Sequence, residues 1–223
     1  RDDLEAHEPL WQEPWSIDFH GASIHEMPPN GQGVAALQAI AICEGFERAC
    51  KGDEAGLAAH RRIEAVRRAL SDASECVADP DLGVERARSL ISPESIAAAR
   101  RAIAPDRAAP QGRTAWCVGG TVYLCAADAG GVMVSFIQSN YEGFGSGVVI
   151  PGTGIAMQNR GACFSTEPGH ANVYGPSKRP YQTIIPGFIT RGGNALAAFG
   201  VMGGFMQPQG HLQVVERMIV EGH

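Results

Sequence analysis

The residues whose arrangement carries the most chemistry are Gly119, Gly120 and Thr121. A threonine hydroxyl is a weak nucleophile, and cutting the chain just before it turns its own α-amine into the base that activates it. That amine suits the task, since an ordinary pKa of about 7.7–8.0 lets it take the hydroxyl proton near neutral pH and return it to a leaving group. Glycines ahead of the cut let the Gly120 carbonyl swing toward the hydroxyl with no side chain in the way. The same residues also describe an ordinary turn running into a strand, and on local pattern alone both readings stand.

Other reactive side chains are less organised. The six cysteines fall at 43, 50, 76, 117, 125 and 163. No CxxC pair is among them, so zinc and dithiol redox chemistry lack their usual spacing and no metal site is expected. Several stand in apolar surroundings, where a free and inert thiol is expected, and disulfide pairing stays open. His170 in a Gly/Pro loop and His211 on an expected terminal helix have no partner at a catalytic spacing and read as structural. Lys178 and Arg179 read as anchors of the loop before Pro180, and the Gly/Pro-rich stretch from Ser165 to Pro176 as a lid.

These groups must be held by elements that the pattern predicts in turn. An extended run from Phe19 closes at Pro28-Pro29-Asn30-Gly31. An apolar helix follows from Gly33 to Arg48, ending near Gly52. A second helix spans Asp53 to Val77, with Leu57, Ile63, Val66 and Leu70 on one face and Arg61, Arg62, Arg67 and Arg68 on a solvated one. Ser92-Pro93 caps a third, running to Ile103. Ala104 to Gly120 reads as an exposed, mobile connector. Strands are then expected at 122–127 and 132–137 about a Gly130-Gly131 turn, at 154–157, at 183–190 and at 195–201, with a closing helix from near Gln209. Helices first and antiparallel strands second make an α+β class.

Whole-chain numbers limit the partners. The 223 residues carry 18 Lys+Arg against 24 Asp+Glu, a formal charge of −6, which is not the basic footprint of a nucleic-acid binder. Hydrophobic residues at 44% and charged residues at 19% suit a globular protein. The best apolar run, Val34 to Cys43, includes Gln38 and is half the ~20 residues of a membrane span. The chain begins at Arg1 with no charged-then-apolar leader, so a start inside a longer product is expected, and the compartment stays open between cytoplasm and periplasm or secretion.

A longer set of motifs adds to this. Thr121 to Asp128, Ser139-Asn140-Tyr141, Gly143-Phe144-Gly145-Ser146-Gly147, Gln158-Asn159-Arg160-Gly161, Gly175-Pro176-Ser177-Lys178-Arg179-Pro180 and Gly200 to Gly204, in that order and spacing, resemble the small subunit of the γ-glutamyltranspeptidase family. Met27-Pro28-Pro29-Asn30-Gly31-Gln32-Gly33 and the helices after it resemble the end of that family's large subunit, so the likeness runs from about Glu13 to His223. It implies an N-terminal-nucleophile hydrolase with a four-layer αββα sandwich, made as a precursor that cleaves itself between Gly120 and Thr121. Residues 1–104 then form a helical part, 105–120 a linker and 121–223 a β-rich catalytic part that is C-terminally incomplete.

By the same likeness Thr121 is the nucleophile, Ser139 a hydroxyl that assists it, and Gly203 and Gly204 the backbone donors of an oxyanion hole, where glycine amides approach closely because no Cβ intervenes. The substrate-facing positions fall at Tyr141, Arg160, Cys163, Gln182 and Thr183. Cys163 replaces the family's acidic residue for the substrate α-amino group, Gln182 and Thr183 replace paired serines, and Tyr141 replaces an asparagine. Arg160 reads either as a bidentate carboxylate clamp or as a solvated turn arginine. The implied activity is acyl transfer or hydrolysis on γ-glutamyl amides such as glutathione, with water or an amine as acceptor. The alternatives are an amidase or acylase with a non-glutamyl substrate and an uncleaved scaffold. No cofactor is implied, the two parts are expected to stay associated, and a higher oligomer is open.

Overall fold

The structure, a computed structural model, describes residues 5–46, 54–110 and 120–222. Strand β1 (Trp15–Phe19) turns back into β2 (Ala22–Glu26) through His20 and Gly21, both at positive φ. The single extended run expected from Phe19 is therefore the second arm of a hairpin. The alternation of Trp15, Ile17 and Phe19 with Ser16 and Asp18 is the period-2 signal of the first arm. Four antiparallel strands make the main sheet in the order β1-β2-β5-β6, with β5 at Gly187–Arg191 and β6 at Asn194–Phe199.

Helix α1 (Gly33–Glu44) is buried on almost every side, which is why its apolar pattern shows no polar face. It packs against β1, β2 and α2 (Glu54–Cys76). The inward face of α2 is Ala65, Val66, Ala69, Ala73 and Cys76, whereas Ile63 is 58% exposed. The expected face through Ile63 is thus displaced toward small residues, which let the two helices approach. The arginines of α2 keep a partly solvated face, as expected, and are also paired: Arg62 with Glu216 at 2.6 Å, and Arg67 with Glu64 at 2.6 Å and Arg68 with Asp72 at 2.7 Å within the helix.

A short helix, α3 (Val84–Ser89), was not foreseen; α4 (Pro93–Ala102) starts as expected, with the Ser92 side chain accepting from the Ser95 N–H. Arg100 of α4 donates to the carbonyls of Ala41 and Ile42, so it caps α1, and Gly45 leaves the room its guanidinium occupies. Helix α1 ends at Glu44 with Gly45 as its C-cap, short of the expected end between Arg48 and Gly52, because the backbone N–H at the cap turns back to the Cys43 carbonyl; residues 47–53 and residues 111–119 of the connector lie outside the described residues. The rest of the connector is exposed but bonded: Arg67 donates to the carbonyls of Ala109 and Pro110, and the Ala109 N–H donates to Glu64 at 2.9 Å.

The second half opens with a ribbon, β3 (Gly120–Ala127) against β4 (Met133–Tyr141). Its turn is held by Asp128, whose Oδ1 accepts from the N–H groups of Gly130 and Val132 at 2.9 and 3.0 Å. Residues 154–157 form only an isolated bridge, Val149 to Ala156, since Gly152 and Gly154 at positive φ keep this stretch in turns. The strand expected from Thr183 starts at Gly187, just past Pro186, which has no N–H for a ladder. Helix α5 (Gln207–Val215) follows a 3₁₀ turn at Gly204–Met206 and packs on α1. Mixed helix and antiparallel sheet is the α+β class the pattern predicts.

Burial fixes the chemistry of two thiols. Cys43 is pushed up to about 12 and Cys76 to about 11, both chiefly by burial, so neither is a thiolate at ordinary pH. Cys50 and Cys117 lie outside the described residues, while Cys125 is exposed on β3. Labelling with Ellman's reagent at pH 8 is expected to modify Cys125 in seconds to minutes and Cys43 and Cys76 only on addition of denaturant. Rapid modification of Cys43 in the native state would contradict this packing.

Candidate active site

Thr121 is the second residue of β3 and lies directly across from Ser139 on β4. Its Oγ1 donates to Ser139 Oγ at 3.2 Å, and Ser139 Oγ donates in turn to the carbonyl of Gly120 at 3.1 Å. The Ser139 oxygen also accepts the Tyr141 N–H at 2.9 Å. One serine thus touches both the expected nucleophile and the carbonyl of the peptide bond expected to break. The register jumps at this point, with Gly120 facing Tyr141 and Thr121 facing Ser139, so Asn140 is bulged out. The bulge turns the Tyr141 N–H back onto Ser139. Gly120 is exposed, and a Cβ there would sit 3.2 Å from the Gly143 carbonyl, a close approach that favours glycine.

Three of the substrate-facing positions come together, and they are buried. Tyr141 is held at φ +78°, a strained value for an aromatic residue, and its ring lies under the Arg160 guanidinium at 4.4 Å. Arg160 Nη1 donates to Thr183 Oγ1 at 2.6 Å. Arg160 and Thr183 are each 1% exposed, which corrects the reading of Arg160 as a solvated turn arginine. Gln182 is half-buried: its backbone bonds to Asn30 and Gln32, and its side-chain oxygen accepts the Thr183 N–H. Cys163 ends the 3₁₀ turn that begins at Arg160, and its carbonyl accepts from Asn172.

Gly203 and Gly204, at φ +136° and +60°, open the 3₁₀ turn that runs into α5. Both values exclude most side chains, and the start of a helical stretch presents unpaired N–H groups and a positive dipole end to an anion. The Gly204 carbonyl is tied down by Gln32 Nε2 at 2.9 Å, the same nitrogen that donates to the Thr183 carbonyl at 2.7 Å. Tyr181 OH holds the other end of that amide. The turn is near the ribbon because the Tyr123 ring, on the same face of β3 as Thr121, fills the space where Gly200 lacks a Cβ. Gln32 is the residue that sequence reasoning passed over, although it stood between two glycines in the Met27–Gly33 motif.

The remaining expectations are placed more simply. His211 is buried, with Nδ1 at 2.5 Å from Glu26 Oε1. Lys178 donates to the Val173 carbonyl, and Arg179 donates its backbone N–H to Asp79 Oδ2 and its guanidinium to the Glu8 carbonyl, so both anchor their loop. The 165–176 stretch is pinned at Asn172, which bonds Cys163 and Tyr181. Among the described residues no group of three His, Cys, Asp or Glu side chains is placed to hold a metal ion, and no helix is long and apolar enough to cross a membrane.

A threonine near the start of a strand is thus bonded to a serine that also grips the carbonyl before it. The sequence model of gamma-glutamyltranspeptidase matches residues 1–223, and the chain belongs to that family. It is 33% identical over 225 residues to the glutathione hydrolase-like YwrD proenzyme of Bacillus subtilis, covering 99% of this chain and 42% of the relative. It is 34% identical to the oxamate amidohydrolase proenzyme of Klebsiella pneumoniae, covering 99% and 41%. Cephalosporin acylase from Bacillus halodurans superposes with a TM-score of 0.90 at 48% identity, over 100% of this chain and 40% of that one. The chain spans about two fifths of the length of these relatives.

Proposed function

We propose that the chain carries the reacting centre of an N-terminal-nucleophile amidohydrolase, with Thr121 as nucleophile after cleavage of the Gly120–Thr121 bond. The observation that carries the reading is the Thr121–Ser139–Gly120 relay. In self-cleavage Thr121 Oγ1 attacks the Gly120 carbonyl carbon while Ser139 polarises the carbonyl oxygen. The hydroxyl proton passes to the departing Thr121 nitrogen as the C–N bond breaks, leaving an ester. Water hydrolyses that ester to a Gly120 carboxylate and a free Thr121 amine. In turnover the amine takes the Oγ1 proton, Oγ1 attacks a substrate amide, and the N–H groups of Gly203 and Gly204 receive the oxyanion. The leaving amine departs with the proton, and water or another amine resolves the acyl-enzyme.

Association after cleavage follows from the sheet. Strand β2, before the cut, pairs with β5, after it, through Ile24 and Ile189, and α1 packs on α5. The four-layer αββα sandwich is supported by the outer face of the β3–β4 ribbon, where Val122, Leu124, Val134 and Phe136 are each about half exposed and a further layer would cover them. For the acyl group, Cys163 in place of an acid supports donors without a γ-glutamyl α-ammonium, and the likeness to an oxamate amidohydrolase and a cephalosporin acylase supports the same reading. The γ-glutamyl reading rests on the family.

N-terminal sequencing and intact mass of the full-length protein are expected to show a fragment starting at Thr121. Ser139→Ala is expected to slow its appearance by about 100–1,000-fold, the range for losing one polarising donor. A full-length protein that hydrolyses amides while remaining one uncut band would overturn the reading, and an uncut, inactive one would favour a scaffold.

A further inference from the structure

Arg160 makes contacts on two sides, and each leads to a different half of the reaction centre. On one side its guanidinium covers the Tyr141 ring, and the Tyr141 N–H bonds the Ser139 oxygen that receives the Thr121 hydroxyl. On the other side Nη1 bonds Thr183, whose carbonyl shares the Gln32 amide with the carbonyl of Gly204. A continuous path therefore runs Thr121–Ser139–Tyr141–Arg160–Thr183–Gln32–Gly204. Tyr141 is the strained link, since a φ of +78° is costly for an aromatic residue and persists only where its surroundings over-determine it. The cation stacked on its ring is one such constraint. At 1% exposure Arg160 faces protein rather than a solvent-filled cleft.

We infer that Arg160 is a positioning residue that sets the spacing between the nucleophile's assisting hydroxyl and the oxyanion turn, and does so without gripping substrate. The inference rests on the Thr121 reading above and adds to it a shared dependence of self-cleavage and turnover on one buried arginine. A clamp for a substrate carboxylate has no part in self-cleavage, because the precursor is its own substrate. A strut acts on both reactions.

The test compares wild type with Arg160→Met, Arg160→Lys and Thr183→Val in the full-length protein, by the rate of the Gly120–Thr121 cut and by kcat and KM on an acyl anilide. Misplacement of reacting groups by about 1 Å costs on the order of 100-fold, so Arg160→Met is expected to slow the cut and kcat each by at least about tenfold while KM moves less than about threefold. Arg160→Lys, which keeps a cation over Tyr141, is expected to recover part of both. Thr183→Val, isosteric and lacking only the hydroxyl, is expected to slow both by about three- to tenfold and serves if Arg160→Met does not fold. An unchanged cut with a tenfold higher KM would make Arg160 a substrate contact, and unchanged values throughout would reduce it to packing; either result overturns the inference. Failure of wild type to cut overturns the Thr121 reading instead, so the two can fail separately.

Discussion

Thr121→Ala in the full-length protein is expected to leave a single uncut polypeptide and to lower amide hydrolysis by at least about a thousandfold, the scale on which removing a covalent nucleophile acts. The alanine lacks the atom that forms the ester in the first reaction and the acyl-enzyme in the second. Thr121→Ser keeps that atom and the bond to Ser139 and is expected to cut and turn over, more slowly, because it lacks the methyl that restricts χ1. A gel following the cut and a release assay with an acyl anilide read the two reactions separately. Turnover persisting in Thr121→Ala would remove Thr121 from the mechanism.

Glu26→Ala is expected to be the most destabilising single change at a polar residue. Glu26 on β2 and His211 on α5 meet in the core with both side chains at 0% exposure, and the His211 ring also packs on Phe199 at 4.7 Å between centroids. Removing one partner of a buried pair strands the other, at a cost of about 3–5 kcal/mol. With a urea dependence of about 2–3 kcal/mol per molar, the unfolding midpoint should fall by about 1–2 M. Glu26→Gln, which keeps an acceptor for the ring, should lose less. In a cycle with His211→Ala the second change should cost much less than the first. Additive losses would mean that each residue is held by its own surroundings rather than by the other. The pair ties the helix behind Gly203 and Gly204 to the sheet, so Glu26→Ala is also expected to slow the cut.

The parts of the site that could be read from sequence are those that depend on local pattern. Alternating strands and a Gly-Gly turn put Thr121 at a strand start, whereas the roles of Gly203 and Gly204 came from the family likeness, and the structure gives both a positive φ that suits glycine. What was not legible depends on partners far along the chain. The sequence leaves Arg160 open between a carboxylate clamp and a solvated turn arginine because Tyr141, which it stacks on, and Thr183, which it bonds, lie far from it along the chain. Gln32 reaches Gly204 across 172 positions, and nothing local distinguishes it from a solvated glutamine. The α2 face went astray for a related reason: large apolar residues suggested the buried stripe, whereas close helix packing selected alanines. The β1–β2 hairpin shows that the alternation was present and the His20-Gly21 turn concealed it.

The Asp128 turn lies at the opposite tip of the ribbon from the Gly120–Thr121 bond and bears on it as well. Side chains on a strand alternate faces, so sliding β3 past β4 by one position would swing the Thr121 hydroxyl to the side now occupied by Val122, away from Ser139. The carboxylate of Asp128, by holding the N–H groups of Gly130 and Val132 and so the shape of the loop, works as an indexing pin for a hydroxyl at the far end of the hairpin. If Thr121 is the nucleophile as proposed, loop length at the tip is part of the geometry of its centre, and a one-residue insertion there is expected to silence that centre with its own residues all intact.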